Sequence, residues 1–398
     1  MSFIVLKFGG TSAGNVERIK EIAKIVSEIK NKGHDVIIVV SAMSGTTNKI
    51  LSLCMDISAN NSAKKSLEID HALSTGETLS ASLLALALIE RGIDAKSMQG
   101  WQAGIKSNSN YNNALVEEFD PHILISIVKK GITPIVAGFQ AIDQFGSITT
   151  IGRGGSDTTA AIIAAGVRAD SCDIYTDVQG FYTTDPRLVK EARQIQLLSF
   201  EEAIELAGTG AKILHPRAVE ICMRYNIILR VFSTFNKKLG TEIMTKVNET
   251  RKITGISYQK NLARVKMENS KISLINLTQE MIKDGININH ILYCGKDSFE
   301  FILNREFLVK MENLFRNIFN EQIGGEVQIE KQVASVTILG AGISHDVNIL
   351  HKTLSLFEQN NIQILGLLNS EIKLTFFISE DAAEKIVKLL HYELIENA

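Results

Sequence analysis

No Cys-x-x-Cys pair occurs in this chain; Cys54, Cys172, Cys222 and Cys294 are scattered. That spacing argues against a thiolate metal site or a disulfide framework and reads as four reduced thiols. A surplus of positive charge is also missing. Lys plus Arg number 42 and Asp plus Glu 44, a net charge of −2. Neither nucleic acid nor an anionic membrane is therefore expected as a partner. The apolar runs at 37–40 and 83–89 fall short of a membrane span. The opening Met1-Ser2-Phe3-Ile4-Val5-Leu6-Lys7 has no basic stretch followed by an apolar core, so no signal peptide is expected. These absences lead to a soluble, cytoplasmic protein. Any attraction for phosphate must be local, built from a few placed cations and backbone amides.

At 398 residues, 45% hydrophobic and 22% charged, the chain has a globular balance and suggests two or three domains. Val5-Leu6 opens a short strand. Asn15 is placed to cap a helix whose apolar positions Val16, Ile19, Ile22, Ala23, Val26 and Ile29 repeat at helical spacing. Val36-Ile37-Ile38-Val39-Val40 is apolar without alternation, as in a parallel strand buried on both faces. Helices are predicted from Thr78 to Glu90 and from Thr158 to Ala165, and strands at 134–137 and 172–175. This alternation predicts an α/β fold, a mostly parallel open sheet with helices on both faces. Ligands of such sheets sit at the carboxyl ends of strands. The glycine-rich segments here each follow a strand, so their loops should meet along one edge.

Near residue 236 the character changes. The stretch 236–252 is polar and reads as a linker, and all four prolines precede it. Two similar halves follow, aligned on Ile286 and Ile362, an offset of 362 − 286 = 76 residues. Each reads as a ferredoxin-like βαββαβ module. The expected domains are 1–235, a linker 236–252, and modules 253–325 and 326–398.

Lys7-Phe8-Gly9-Gly10-Thr11-Ser12 joins a cation, two glycines and two hydroxyls at a strand end, before a helix. Such a loop aims backbone N–H groups and a helix dipole at an anion. It is not a Walker A loop, which needs G-x-x-x-x-G-K. Ile151-Gly152-Arg153-Gly154-Gly155-Ser156-Asp157 is a second such loop. Arg153 offers a planar fork suited to a carboxylate, and Asp157 suits an N-cap, a role that could coexist with catalysis. Within Ser74-Thr75-Gly76-Glu77, Glu77 could hold an ammonium group or sit as an acid at a helix start. The hydroxyls of 41–48, Ser41 and Thr47 among them, could orient a carboxylate. Asp177 and Asp185, with Phe181 and Tyr182 between them, suit an adenine and ribose pocket. Lys212 adds a cation, and His215, beside Pro216, reads as structural.

Taken in order, Lys-Phe-Gly-Gly-Thr-Ser, Ser-Thr-Gly-Glu, Trp101-Gln102-Ala103-Gly104, Gly-Arg-Gly-Gly-Ser-Asp, Thr-Asp-Val, Thr-Asp-Pro-Arg and Gly-Ala-Lys-Ile-Leu-His-Pro resemble the aspartate kinases over essentially the whole chain. The resemblance implies an amino-acid-kinase fold joined to two ACT modules. It also implies ATP-dependent phosphorylation of the side-chain carboxylate of L-aspartate to 4-phospho-L-aspartate, towards lysine, diaminopimelate, threonine and methionine. Lys7, Phe8, Gly9 and Gly10 would then hold ATP phosphates, with Thr176, Asp177, Tyr182, Asp185, Arg187 and Lys212 completing the nucleotide site. Ser12, Ser41, Thr47, Glu77, Arg153 and Ser156 would form the aspartate site. Lys7, Arg153 and Asp157 would be catalytic, Asp157 by orienting Lys7. Mg2+ would arrive with ATP, held by phosphate oxygens and water rather than by a protein metal site. A carboxylate nucleophile with pKa of about 4 needs no general base. The resemblance also implies a homo-oligomer through the ACT modules. A kinase for N-acetylglutamate or glutamate, or an inactive regulatory homologue, is the competing reading. The ACT pair and Ser-Thr-Gly-Glu argue against the first, and intact Lys7, Arg153, Asp157 and Lys212 against the second.

One departure stands out. The family's effector loops contain Pro-Gly, yet no proline follows Pro216. The corresponding junctions read Glu268-Asn269-Ser270-Lys271-Ile272-Ser273 and Gly342-Ile343-Ser344-His345-Asp346-Val347. Feedback by lysine is therefore expected to be weak or absent.

Overall fold

The β-branched runs predicted to be buried parallel strands are adjacent partners in a computed structural model of the chain. It describes residues 3–57, 63–208, 213–235, 239–245, 252–318 and 325–397. The chain divides into two units. One comprises Met1–Phe181 with Gln194–Val247, the other Tyr182–Arg193 with Asn248–Ala398. The expected segment 1–235 is thus interrupted, with residues 182–193 belonging to the C-terminal unit.

The first unit runs β1 (Phe3–Phe8), α1 (Val16–Lys30), β2 (Asp35–Val40), α2 (Thr46–Ile57), α3 (Ala63–Ile89), β3 (Ala95–Met98), β4 (Ile105–Ser107), β5 (Val116–Phe119), α4 (Pro121–Lys129), β6 (Thr133–Ala137), β7 (Gln140–Ile142), β8 (Ile148–Thr150), α5 (Gly155–Val167), β9 (Ser171–Thr176), β10 (Leu197–Leu198), α6 (Phe200–Gly208), α7 (Pro216–Tyr225), β11 (Ile228–Ser233) and β12 (Leu239–Ile243). Its main sheet has the order β10-β12-β11-β9-β1-β2-β6-β3. Only the β11–β12 pair is antiparallel. A small sheet, β5-β4-β7-β8, carries the second glycine-rich loop at its end.

Strand alternation explains how β1 serves two purposes. Ile4, Leu6 and Phe8 enter a core with α1 and α3. Lys7 points to the opposite face, where α5 packs. Asn15 caps α1 by accepting a hydrogen bond from Arg18 N. Helix α3 is long and apolar enough to cross a membrane by length and composition, but half of that stretch is buried within the protein. It begins at Ala63 rather than Thr78, so Glu77 lies in its middle and the helix-start reading is corrected.

The second unit adds β13 (Gly255–Glu268), α8 (Leu274–Asp284), β14 (His290–Cys294), β15 (Phe299–Asn304), α9 (Leu308–Ile318), β16 (Glu326–Leu339), α10 (Val347–Gln359), β17 (Gly366–Ser370), β18 (Lys373–Ser379) and α11 (Ala383–His391). They form one antiparallel sheet ordered β14-β15-β13-β16-β18-β17. The repeat is real, but the modules interlock. The front of β13 pairs with the back of β16, and the back of β13 with the front of β16, with register shifts between. Each module takes its fourth strand from a strand the other also uses. Ile256 accordingly packs in the second module's core, and Val327 and Ile329 pack against the first module's core. A boundary at 325/326 therefore does not separate independent halves. The sheet curls as well: His290 of β14 lies 5.4 Å, ring to ring, from Phe377 of β18. Leu262, Ile302, Val333 and Phe377 fill the enclosed face.

Candidate active site

Loops from the carboxyl ends of β1, β2, β6 and β8 enclose a cleft of about 620 Å³. Its walls include Lys7, Gly10, Ser41, Thr47, Glu77, Arg153, Ser156 and Asp157. Three of the predicted segments thus meet along one edge, joined by Glu77 from α3.

Lys7 is buried, and its Nζ lies 2.6 Å from Asp157 Oδ1. Asp157 sits in the first turn of α5 and is not its cap. The N-cap is Gly154, at φ +70°, with no side-chain cap. A Cβ at Gly154 would lie 2.3 Å from the His215 ring, so a side chain is excluded there on both counts. The consequence is chemical, because the amino-terminal turn of α5 faces the cleft without its own side chain covering it. The other Asp157 oxygen accepts a hydrogen bond from His215 N at 3.3 Å. Burial pushes the His215 imidazole pKa down, in keeping with a structural role.

Glu77 is buried, with Oε1 accepting a hydrogen bond from Ala42 N at 3.1 Å. Oε2 is buried with no hydrogen-bond partner. Burial raises the carboxyl pKa from 4.5 to about 7, partly opposed by the Ala42 bond. The ionised form is therefore costly without a cation. For the empty protein, stability falls as pH rises from about 4.5 to about 7, because the native state holds this proton longer than the unfolded chain. Gly76 permits this placement: a Cβ would sit 2.9 Å from the Ala42 methyl, so glycine lets α3 approach the loop after β2.

Arg153 is exposed at the cleft and pairs with no carboxylate among the described residues. Asp70 lies on α3, seven residues before Glu77 and so on the same helical face. It is fully buried and accepts hydrogen bonds from Asn112 N (2.9 Å), Thr150 N (2.8 Å) and Thr150 Oγ1 (2.6 Å). It ties two cleft-lining positions, Asn112 and Thr150, to the helix that carries Glu77. Sequence reasoning missed Asp70; the available signal was an acid between Ile69 and Leu73 on an apolar helix face.

Several expected residues fall elsewhere. Ser12 is fully buried, with its hydroxyl 3.2 Å from Tyr175 O and 2.7 Å from Thr234 Oγ1. It fastens the loop to the neighbouring strands and does not line the cleft. Phe8 is core, its ring stacked 4.7 Å from Tyr175. Phe181 is buried too, which removes it as an adenine platform. Gly9 donates to Tyr175 O at 3.1 Å beside the cleft. Thr176 ends β9 and Asp177 follows it, the Thr176 hydroxyl donating to Asp177 Oδ1 at 3.1 Å. Asp185 and Arg187 form a two-pronged ion pair, Nε to Oδ1 at 3.0 Å and Nη2 to Oδ2 at 2.7 Å. That pair holds the Asp185 carboxyl below its usual pKa. Tyr182, Asp185 and Arg187 lie on the segment belonging to the second unit. Lys212 lies outside the described residues. Among those residues, no group of three His, Cys, Asp or Glu side chains is placed to hold a metal ion.

Residues 2–233 match the model of the amino acid kinase family. The aspartokinase of Rickettsia bellii (strain RML369-C) is 41% identical over 401 residues, covering all of this chain and 98% of that protein. Aspartokinase 2 of Bacillus subtilis (strain 168) is 38% identical over 402 residues, covering 98% of this chain and 97% of its own length. The crystal structure of E. coli aspartokinase III with aspartate and ADP is similar in fold, with a TM-score of 0.80 at 24% identity. That match covers 99% of this chain and all of the other.

Proposed function

We propose a working site for a chain that belongs to the amino acid kinase family and, within it, to the aspartokinases, and that is an ATP-dependent aspartate kinase. The observation that carries the proposal is the unpartnered Glu77 Oε2, buried in the same cleft as the Lys7–Asp157 pair and Arg153. A buried carboxylate oxygen without a donor calls for a cation, and the α-ammonium of aspartate is one. Arg153 binds a substrate carboxylate through its fork, and Ser41, Thr47 and Ser156 orient the substrate. The side-chain carboxylate attacks the terminal phosphorus of ATP, and the bond to the ADP oxygen breaks. The nucleophile is already ionised at neutral pH, so the protein's task is placement and charge neutralisation. Lys7 supplies the fixed positive charge on the transferring group, Asp157 holds it in place, and the open turn of α5 adds amides. Magnesium, when bound with the nucleotide, neutralises phosphate charge. Gly9, Gly10, Thr176, Asp177, Tyr182, Asp185, Arg187 and Lys212 complete the nucleotide site. The protein works in the cytoplasm as a homo-oligomer joined through its ACT modules.

Arg153→Lys tests the substrate assignment. A lysine cannot reproduce the bidentate fork, so the aspartate KM should rise at least tenfold while the ATP KM changes by less than about twofold. Both constants within about twofold of wild type would remove Arg153 as the anchor.

A further inference from the structure

Thr183 is engaged at every polar atom. Its N–H donates to Arg193 O at 2.9 Å and its carbonyl accepts from Ile256 N at 2.7 Å. Its hydroxyl accepts from Arg193 N at 2.9 Å and lies 2.9 Å from His391 Nε2. His391 ends α11 and is fully buried, with Nδ1 lying 2.7 Å from Glu396 Oε1. A carboxylate can only accept, so the Nδ1 proton points to Glu396. In the neutral ring Nε2 is then the acceptor, and the Thr183 hydroxyl donates to it while receiving the Arg193 N–H. The result is one directed chain from Arg193 through Thr183 and His391 to Glu396.

The helix geometry beneath this chain is unusual. His391 and Glu396 are five residues apart, which in an α-helix would set them about 140° apart around the axis. Residues Tyr392–Glu396 instead wind as a π-helix. Its i→i+5 repeat brings the two side chains into line. The same region contributes Leu188, which packs on the second module's core. Phe181 and Ile195, paired at 2.8 Å, mark where the segment leaves and rejoins the kinase unit.

The segment so clasped, Tyr182–Arg193, carries Tyr182, Asp185 and Arg187. We propose that His391 and Glu396 are positioning residues: they fix, through Thr183, the segment that contacts the nucleotide, so that ATP binding depends on the last helix of the C-terminal unit. This rests on the nucleotide reading of Asp185 and Arg187. The arrangement resembles a hydroxyl–imidazole–carboxylate triad, but its hydroxyl is buried and already receives a hydrogen bond from Arg193 N. None of the three residues lines the cleft, so the chain holds backbone rather than activating a nucleophile.

The test compares Thr183→Val, His391→Leu, Glu396→Gln and Arg187→Ala in the full-length chain. Steady-state kinetics are read together with hydrogen exchange of residues 182–193. Thr183→Val keeps the side-chain shape, so it carries the test where His391→Leu fails to fold. Thr183→Val and His391→Leu each remove two hydrogen bonds of the chain and should raise the ATP KM about tenfold. Aspartate KM and kcat should stay within about twofold, and exchange in the segment should quicken. Glu396→Gln keeps an oxygen that accepts from Nδ1–H but loses the charge assistance of that bond, so its ATP KM should rise, though less than in Thr183→Val. ATP and aspartate KM rising together would mark a merely structural role and overturn the proposal, as would quickened exchange with an unchanged ATP KM. Unchanged exchange would overturn the clasp itself, even with Arg187→Ala weakening ATP binding. A normal ATP KM in Arg187→Ala would overturn the nucleotide reading instead, leaving the clasp visible in exchange alone.

Discussion

The amino terminus of α5, beside the cleft, and those of α8 and α10 are built in opposite ways. In the kinase unit, α5 starts from Gly154 in a left-handed conformation, with no side chain over its first turn. In the C-terminal unit, Ser273 accepts from Asn276 N at the start of α8. Asp346 likewise accepts from Asn348 N and Ile349 N at the start of α10. A helix start offers several unpaired N–H groups and a positive dipole end. At α5 that feature is left open beside a buried lysine, whereas α8 and α10 close it with side chains of their own. At α10 the closure goes further, since the capping group is itself a carboxylate and Lys252 Nζ lies 3.3 Å from it. The same element can thus serve phosphate chemistry or simply end a helix, depending on one residue.

The largest expected effect comes from the open end. Lys7→Ala removes the fixed charge while leaving the glycine turn of α5 intact, and kcat should fall about 10²–10³-fold. Circular dichroism should remain native, because the substitution opens no cavity in the apolar core and Asp157 keeps its hydrogen bond from His215 N. A near-normal kcat in the folded variant would show that the open helix end and Lys7 do not act on the transferring group.

The smallest expected effect comes from the closed ends. With Ser273 and Asp346 capping α8 and α10, lysine, threonine and both together should inhibit the wild-type enzyme little, even at millimolar concentrations. Sedimentation at micromolar protein should still show an oligomer, because the proposed association through the ACT modules does not call on the caps. Strong inhibition at sub-millimolar lysine would break the comparison, since the closed loops would then bind an effector in another geometry. Sedimentation giving only monomer would remove the proposed association.

Much of the cleft was legible because strand ends are local features: Lys7 beside Gly9 and Gly10, and Arg153 between Gly152 and Gly154, mark themselves. The Lys7–Asp157 contact spans most of the domain and was accessible only through resemblance. Ser12 misled because a hydroxyl in a phosphate-loop segment looks the same whether it faces ligand or strand. Helix α3 was read too short since Ser-Thr-Gly resembles a helix boundary. Close packing on Ala42 outweighs the intrinsic cost of a mid-helix glycine, about 1 kcal/mol. The interlocked modules were hidden for a different reason: β13 and β16 each look like one long strand, and only their register shows that they serve two sheets' worth of core. Nothing local in Thr183-Thr184-Asp185-Pro186-Arg187 says that it packs with residues two hundred positions later.

The most direct test of the account concerns Glu77. Calorimetric titration of aspartate at pH 6.5, in two buffers of different ionisation enthalpy, counts the protons exchanged on binding. With the empty-site carboxyl titrating at about 7, about three-quarters of the sites hold a proton at that pH. Binding of the ammonium should expel it, releasing roughly 0.7 proton per aspartate, and affinity should rise with pH before levelling off above the shifted pKa. In Glu77→Gln the release should vanish and affinity should drop. No proton release in the wild type, or equal release in Glu77→Gln, would contradict the assignment of Glu77 as the ammonium anchor.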